Sequence, residues 1–463
     1  DENLNAEHTA SKRRHDTDML HGTLWNKLPL FALPVAATAI LEQLFNASDI
    51  AVVGNFTGSA KTAAVAAVGA NSPIISLLVN LFVVIALGAN VVIANAIGRG
   101  DREDVREAVH TSIVTAVVCG IFVSILGQLV AAPLLHSLQV PADVLPLALS
   151  YLRIYLVGMP VILLYNFEAA IFRSVGNTKV PLMVLAFSGV LNVLLNLFFV
   201  IVLHMTVNGV AIATVISNGI SALVLFWILT QTTQVIHVTP KRLGIDRTIL
   251  GHILKIGLPA GIQSAVFCIS NIVIQSAINS LGKEVMAASS AAYNIEIMAY
   301  DVLNSFGQAC TTFVGQNCGA GQNARCRKVL GLCLMEDAAI SALFIAVILC
   351  FGKPLLSLFN NDPKVVALGY TRLVIVFFAY IFSLFYENLS GYLRGFGISL
   401  VPAILAAAGI CVVRILWIET AFPIHRTFQT IMIGYPISLG VTALLMGIAA
   451  LAYRPSRKHG IVQ

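Results

Sequence analysis

Charge is what this sequence lacks: only 11% of its 463 residues are Asp, Glu, Lys or Arg, against 58% hydrophobic residues and a mean hydropathy of +0.87. Soluble domains carry roughly 25% charged residues, so a water-facing globule is excluded and lipid is the natural solvent. The sequence holds no G-x-x-x-x-G-K-[ST], which removes an ATP engine, and no H-E-x-x-H or G-x-S-x-G, which removes the commonest hydrolases. The chain is therefore not read as an enzyme, and no cofactor is expected; vectorial work has to draw on an ion gradient or on the solute's own. The eight cysteines form no C-x-x-C pair and fall mostly in apolar runs, which makes them small buried hydrophobes with no metal or redox role. The formal charge of +6 sits in short loops, a topological pattern that calls for no nucleic acid. Residues 1–28 hold no apolar stretch and are expected to be a cytoplasmic tail, not a signal peptide.

What is present is apolar sequence in long runs. A crossing takes about 20 residues, and runs bounded by Gly, Pro and charge give six spans at 29–55, 62–97, 107–132, 142–172, 180–203 and 209–231. After a polar connection at 232–255, six more follow at 256–281, 285–318, 327–351, 364–393, 400–422 and 428–452, with a tail at 454–463. The fold class is thus an all-α membrane protein of twelve helices. Of 28 Lys and Arg, twenty fall on the side of the termini, five in the opposite loops and three within spans. The positive-inside rule then places both termini in the cytoplasm.

The halves repeat each other. Phe172–Pro181 (FRSVGNTKVP) matches Leu393–Pro402 (LRGFGISLVP), and Gly98-Arg-Gly100 matches Gly319-Ala-Gly321, each 221 residues apart. Leu33-Pro34 and Leu258-Pro259 open the two copies. Six spans per copy give the copies the same orientation, so residues 29–231 and 256–453 are expected to be two six-helix lobes with the substrate cavity at their interface.

An ionisable group inside a span is costly unless it lines a cavity or finds a partner. In the first span Glu42, Asn46 and Asp49 share a face, within about 60° of arc, and a carboxylate pair backed by amides can hold a proton or a small cation. Ser188, Asn192 and Asn196 in the fifth span, and Thr214, Asn218 and Ser221 in the sixth, are expected to stand opposite. Bridging between helices is the plainer account of those amides and hydroxyls. In the second half Glu296, Tyr300, Asn304 and Gln308 form a stripe with Asp301 beside it. The tenth span aligns Tyr380, Ser383, Glu387 and Arg394, with Glu387 open to a salt bridge from Arg394 or Arg414. Arg153 and Arg372 occupy equivalent places and are expected to snorkel or pair with an acid. Tyr151, Tyr165, Tyr293 and Tyr386 are either packing or walls for flat cationic molecules, and Glu336 and Asp337 have no assigned role.

The run Leu33–Gly54, LPVAATAILEQLFNASDIAVVG, resembles the first helix of multidrug and toxic compound extrusion (MATE) transporters. Further likenesses lie at Gly88–Gly100, Arg173–Pro181, Ala211–Ser217 and Leu393–Gly397, across nearly the whole chain, and the DinF-like branch is the nearest pattern. The resemblance implies two six-helix lobes around a V-shaped cleft, alternating access, and export of organic cations driven by H+ or Na+. It carries a coupling role to Asp49, Asn192, Asn196 and Thr214, to which the sequence adds Glu42, with Na+ at Asp49 one alternative; it carries a cavity role to Tyr151. Tyr293, Glu296, Asp301 and Glu387 complete the expected cavity. That branch often has Gln where this chain has Glu42 and a second aspartate where it has Asn196. The expected partners are a small-molecule substrate and the bilayer of the cell membrane, with the chain acting as a monomer. The alternatives are a lipid-linked oligosaccharide flippase of the same superfamily and a non-transporting scaffold or sensor.

Overall fold

The computed structural model describes residues 17–453, and every regular element among them is helical. Ten helices are long and apolar enough to cross a membrane, and Leu145–Val157 with Met159–Ser174 forms an eleventh crossing bent by 48°. The bend falls at Gly158, just ahead of Pro160, whose ring fixes φ and removes a backbone donor. The twelfth expected span is the 37-residue helix Lys283–Gly319. Glu284, Glu296 and Asp301, with the amides Asn304, Gln308, Gln316 and Asn317, make it too polar for a lipid-facing helix, and it is buried over much of its length.

In chain order the helices are α1 (Lys27–Phe56), α2 (Lys61–Val83), α3 (Ala86–Arg99), α4 (Arg102–Ser137), α5 (Leu145–Val157), α6 (Met159–Ser174), α7 (Lys179–Leu197) and α8 (Val207–Gln231). The second half has α9 (Arg247–Asn279), α10 (Lys283–Gly319), α11 (Asn323–Ser357), α12 (Pro363–Gly395), α13 (Leu400–Ala406), α14 (Val413–Thr420) and α15 (Phe428–Tyr453). Short π-helical turns continue α7 at Phe198–Val202 and join α13 to α14 at Ala407–Val412, so the fifth span of each half is irregular at its far part. Large apolar side chains such as Leu129, Leu223, Trp227, Leu343 and Leu444 stand exposed on the helices, a surface that only lipid or a partner covers.

The repeated motifs are helix ends. After α3, Gly100 takes φ 72° and the Asp101 N–H reaches back to the Ala96 carbonyl. After α10, Gly321 takes φ 74° and the Gln322 N–H reaches the Asn317 carbonyl. Gly176 and Gly397, both at φ 86°, do the same after α6 and α12. Each closes its helix in the left-handed conformation that glycine tolerates at little cost. The sequence repeat thus records a repeated backbone requirement.

The chain divides into two compact units, Ala37–Gly257 and the combination of Met19–Ala36 with the chain from Leu258 on. The division runs through α1 and α9, close to Pro34 and Pro259. In the second unit the N-terminal segment is held by Asn317 and Arg325, which donate to the Met19 carbonyl at 3.0 and 3.2 Å, and by an edge-to-face contact of Phe31 on Phe313. The connection between halves is shorter than expected. Asp246 accepts from the N–H groups of Thr248 and Ile249 at 2.9 and 3.3 Å, so α9 is capped and begins at Arg247, before the apolar run. The basic residues at 12–14 and 454–458, used in orienting the chain, lie outside the described residues.

Candidate functional site

In the first unit, packing brings α1, α7 and α8 together around one carboxylate. Gly189 on α7 lets the ring of Phe45 come close against the backbone; a Cβ there would stand 1.8 Å from the ring. One turn beyond Phe45 on α1 is Asp49, and three and seven residues beyond Gly189 on α7 are Asn192 and Asn196, so this contact sets the register of the site. Asp49 is 6% exposed. Its Oδ1 accepts from Asn192 at 2.9 Å and Asn196 at 2.5 Å, and its Oδ2 lies 3.5 Å from the Thr214 hydroxyl. Ser221 donates to Ser188 at 2.5 Å and fastens α8 to α7 below the site.

The Oδ1 atoms of Asn192 and Asn196 are buried with no hydrogen-bond partner. A carboxylate, a hydroxyl and two unpartnered amide oxygens on neighbouring side chains are donor types that suit a small cation once the amides turn. The ring of Tyr151 stacks on that of Tyr155 at 6.4 Å, and both phenols lie within electrostatic reach of Asp49.

No hydrogen bond ties Glu42 to this cluster among the described residues; Tyr155 lies within electrostatic reach of both Glu42 and Asp49, and the positive charge that acts on Glu42 is Arg173 on α6. Seven residues of helix separate two side chains by about 10 Å along the axis, so a shared face did not make Glu42 and Asp49 a close carboxylate pair. Glu168 on α6, which lies outside the polar faces singled out in the sequence, is 0% exposed with both carboxylate oxygens unpartnered. Its mere presence inside a span was the available signal.

The acids of the second unit fall into separate networks. Glu296 forms a buried, two-pronged ion pair with Arg372 at 2.7 and 3.0 Å, and Arg372 also donates to Ser289 at 2.5 Å. Arg372 therefore pairs with an acid, and Glu296 offers no free carboxylate to a cavity. Arg372 further lies over the rings of Tyr293 and Tyr435, at 6.0 and 5.8 Å, while Arg414 lies 4.3 Å over Tyr435. Glu387 has neither of the salt bridges considered for it. It accepts from the hydroxyls of Tyr300 and Tyr386, whereas Arg394 donates to Gln263 and Arg414 to Ser438. Asp301 is partly buried, Tyr293 is half exposed, and Tyr151 belongs to the other unit. On α11, Asp337 accepts from Asn388 at 2.8 Å.

A duplicated, all-helical membrane body with a buried acid and amide cluster in its first half fits a secondary transporter. The MatE family model matches residues 34–198 and 259–418, and the chain belongs to that family. It is 26% identical to the probable multidrug resistance protein YoeA of Bacillus subtilis, over 92% of this chain and 93% of that protein. The probable multidrug resistance protein NorM of Thermotoga maritima is 25% identical, over 87% of this chain and 86% of its own length. Among solved structures, a MOP superfamily transporter from Pyrococcus furiosus superposes with a TM-score of 0.87 at 21% identity, covering 95% of this chain and 98% of that one.

Proposed function

We propose that this chain exports small organic, cationic, drug-like molecules in exchange for H+ or Na+ by alternating access, across the cell membrane, with both termini cytoplasmic. The observation that carries the reading is the Asp49 centre, where a buried carboxylate accepts from Asn192 and Asn196 and the oxygens of both amides are buried without a hydrogen-bond partner. A cation on Asp49 neutralises the one charge in the cluster, frees the Asn192 and Asn196 side chains to turn, and so changes how α1 lies against α7 and α8. The two lobes, residues 29–231 and 256–453, are the bodies whose movement alternates access.

Cationic cargo follows from the supply of carboxylates and tyrosines, with Glu387, Tyr300 and Tyr386 as the available group in the second unit, and from the names of the multidrug relatives. A second reading, anionic aromatic cargo, is favoured by the Arg414–Tyr435–Arg372 stack and by a relative, the FAD transporter of Shewanella oneidensis, 23% identical over 85% of this chain. A cell lacking its own exporters, given this chain, separates the two. Cationic dyes leaving faster than in cells carrying Asp49→Asn supports the first reading; flavin release with unchanged dye retention supports the second.

A further inference from the structure

A second buried acid site stands in the second unit, and the coupling reading above does not use it. Asp337 on α11 is 0% exposed, and so is Asn388 on α12; Ser341, one turn beyond Asp337 on the same face, is 2% exposed. The Asn388 amide donates to Oδ2 of Asp337 at 2.8 Å and to the Leu384 carbonyl at 2.8 Å. Three oxygens are left buried without any hydrogen-bond partner: Asp337 Oδ1, Asn388 Oδ1 and Ser341 Oγ. No Lys, Arg or His pairs with Asp337 among the described residues.

A bare carboxylate here is desolvated, has one neutral donor, and is costly by several kcal/mol. The titratable groups around it make the charge harder to hold. Glu387 of α12 acts on Asp337 electrostatically, Glu336 is its neighbour on α11, Cys333 lies one turn before it, and the thiol of Cys310 on α10 donates to the Asn388 carbonyl at 3.7 Å. All are acidic, and none supplies a positive charge. A proton on Oδ1 removes the charge and gives the site the donor it lacks, for either Asn388 Oδ1 or Ser341 Oγ. A hard metal cation, by contrast, takes about six oxygens, and this site offers three, because the surrounding backbone carbonyls are committed to their helices.

We infer that Asp337, with Asn388 and Ser341, is a second proton-binding site, distinct from Asp49, which takes up one proton to form a neutral carboxyl and releases it during the transport cycle. Its role in a cycle rests on the exchange reading; its existence as a site does not.

Infrared spectra of the full chain in lipid nanodiscs, recorded from mildly acidic to alkaline pH without substrate or gradient, test the site directly. Wild type is expected to show the carbonyl stretch of a protonated carboxyl that disappears as pH rises. Asp337→Asn loses this band and Asp49→Asn keeps it. Asn388→Leu retains Asp337 but shifts the band and its midpoint, which keeps the test open if Asp337→Asn does not fold. Spectra of wild type and Asp337→Asn that superimpose overturn the proposal. So does a band that stays unchanged across the whole pH range, or one abolished by sodium at constant pH. If the titrating band is present while the same preparation shows no gradient-driven export, the site stands and the exchange reading falls.

Discussion

Phe45 and Gly189 meet so closely that no side chain fits between the ring and the α7 backbone, and this contact sets Asp49 level with Asn192 and Asn196. Gly189→Ala has to push the ring, and with it α1, away from α7. The expected cost is about 1–3 kcal/mol of stability from overpacking, with loss of export beyond what the lowered stability explains. Phe45→Leu, which shortens the intruding side chain, should restore part of both in the Gly189→Ala background while helping neither on its own. A double-mutant cycle on melting temperature and on export reads this coupling; additive effects contradict it.

The Glu296–Arg372 pair is buried on both sides, with side chains about 5% exposed. Removing one partner strands the other charge, at a cost of about 3–5 kcal/mol. Glu296→Gln and Arg372→Met are each expected to melt much earlier than wild type in detergent. Glu296→Leu with Arg372→Met together should recover most of that loss, because no charge is then left unpaired.

Asp246 caps α9, and the Ile249 N–H holds its carboxyl below the usual carboxylate range. A carboxyl whose folded-state pKa is lowered contributes its full stability above the ordinary carboxylate range, and loses it as pH falls through the lowered value. Thermal melts should therefore show wild type ahead of Asp246→Ala at neutral pH, with the two curves converging on acidification. A gap that stays constant down to strongly acidic pH contradicts this account of the cap.

The connection before α9 is fastened to α4 by two backbone donors. Thr239 donates to Nε2 of His110 at 3.0 Å, and Asp246 donates to the Thr111 hydroxyl at 3.1 Å. His110→Ala leaves the Thr239 N–H without its acceptor. Limited proteolysis between residues 232 and 246 is expected to quicken several-fold in that variant, with little change in global melting.

Element positions were legible because a span is a composition. All twelve runs are helical; eleven, counting the bent pair α5–α6 as one, are long and apolar enough to cross a membrane, while α10, whose flanking glycines mark its ends, is helical but carries too many acids and amides to pass as one. The repeated Gly98-Arg-Gly100 and Arg173-Ser-Val-Gly176 stretches were visible as words, and their physical content is the left-handed helix end each requires. Pairings across helices were less legible. Spacing puts Asp49, Asn192, Asn196 and Thr214 on polar faces expected to stand opposite one another, and the resemblance gives those faces a shared coupling role. A shared face leaves Glu42 and Asp49 two turns of rise apart. Glu387 and Arg394 are likewise aligned on α12, yet each has a partner on another helix, Tyr300 for Glu387 and Gln263 for Arg394. Asp337 stayed without a role because its meaning lies in Asn388, 51 residues away in sequence and on a different helix.

The central claim is that Asp49 couples cation binding to export, and uptake into proteoliposomes under imposed gradients tests it most directly. A fluorescent organic cation is followed under a pH gradient alone and then a sodium gradient alone, for wild type and Asp49→Asn. The account predicts accumulation driven by at least one gradient in wild type and none above the empty-liposome level in the variant, which still binds the dye. Equal gradient-driven accumulation by both proteins would contradict it.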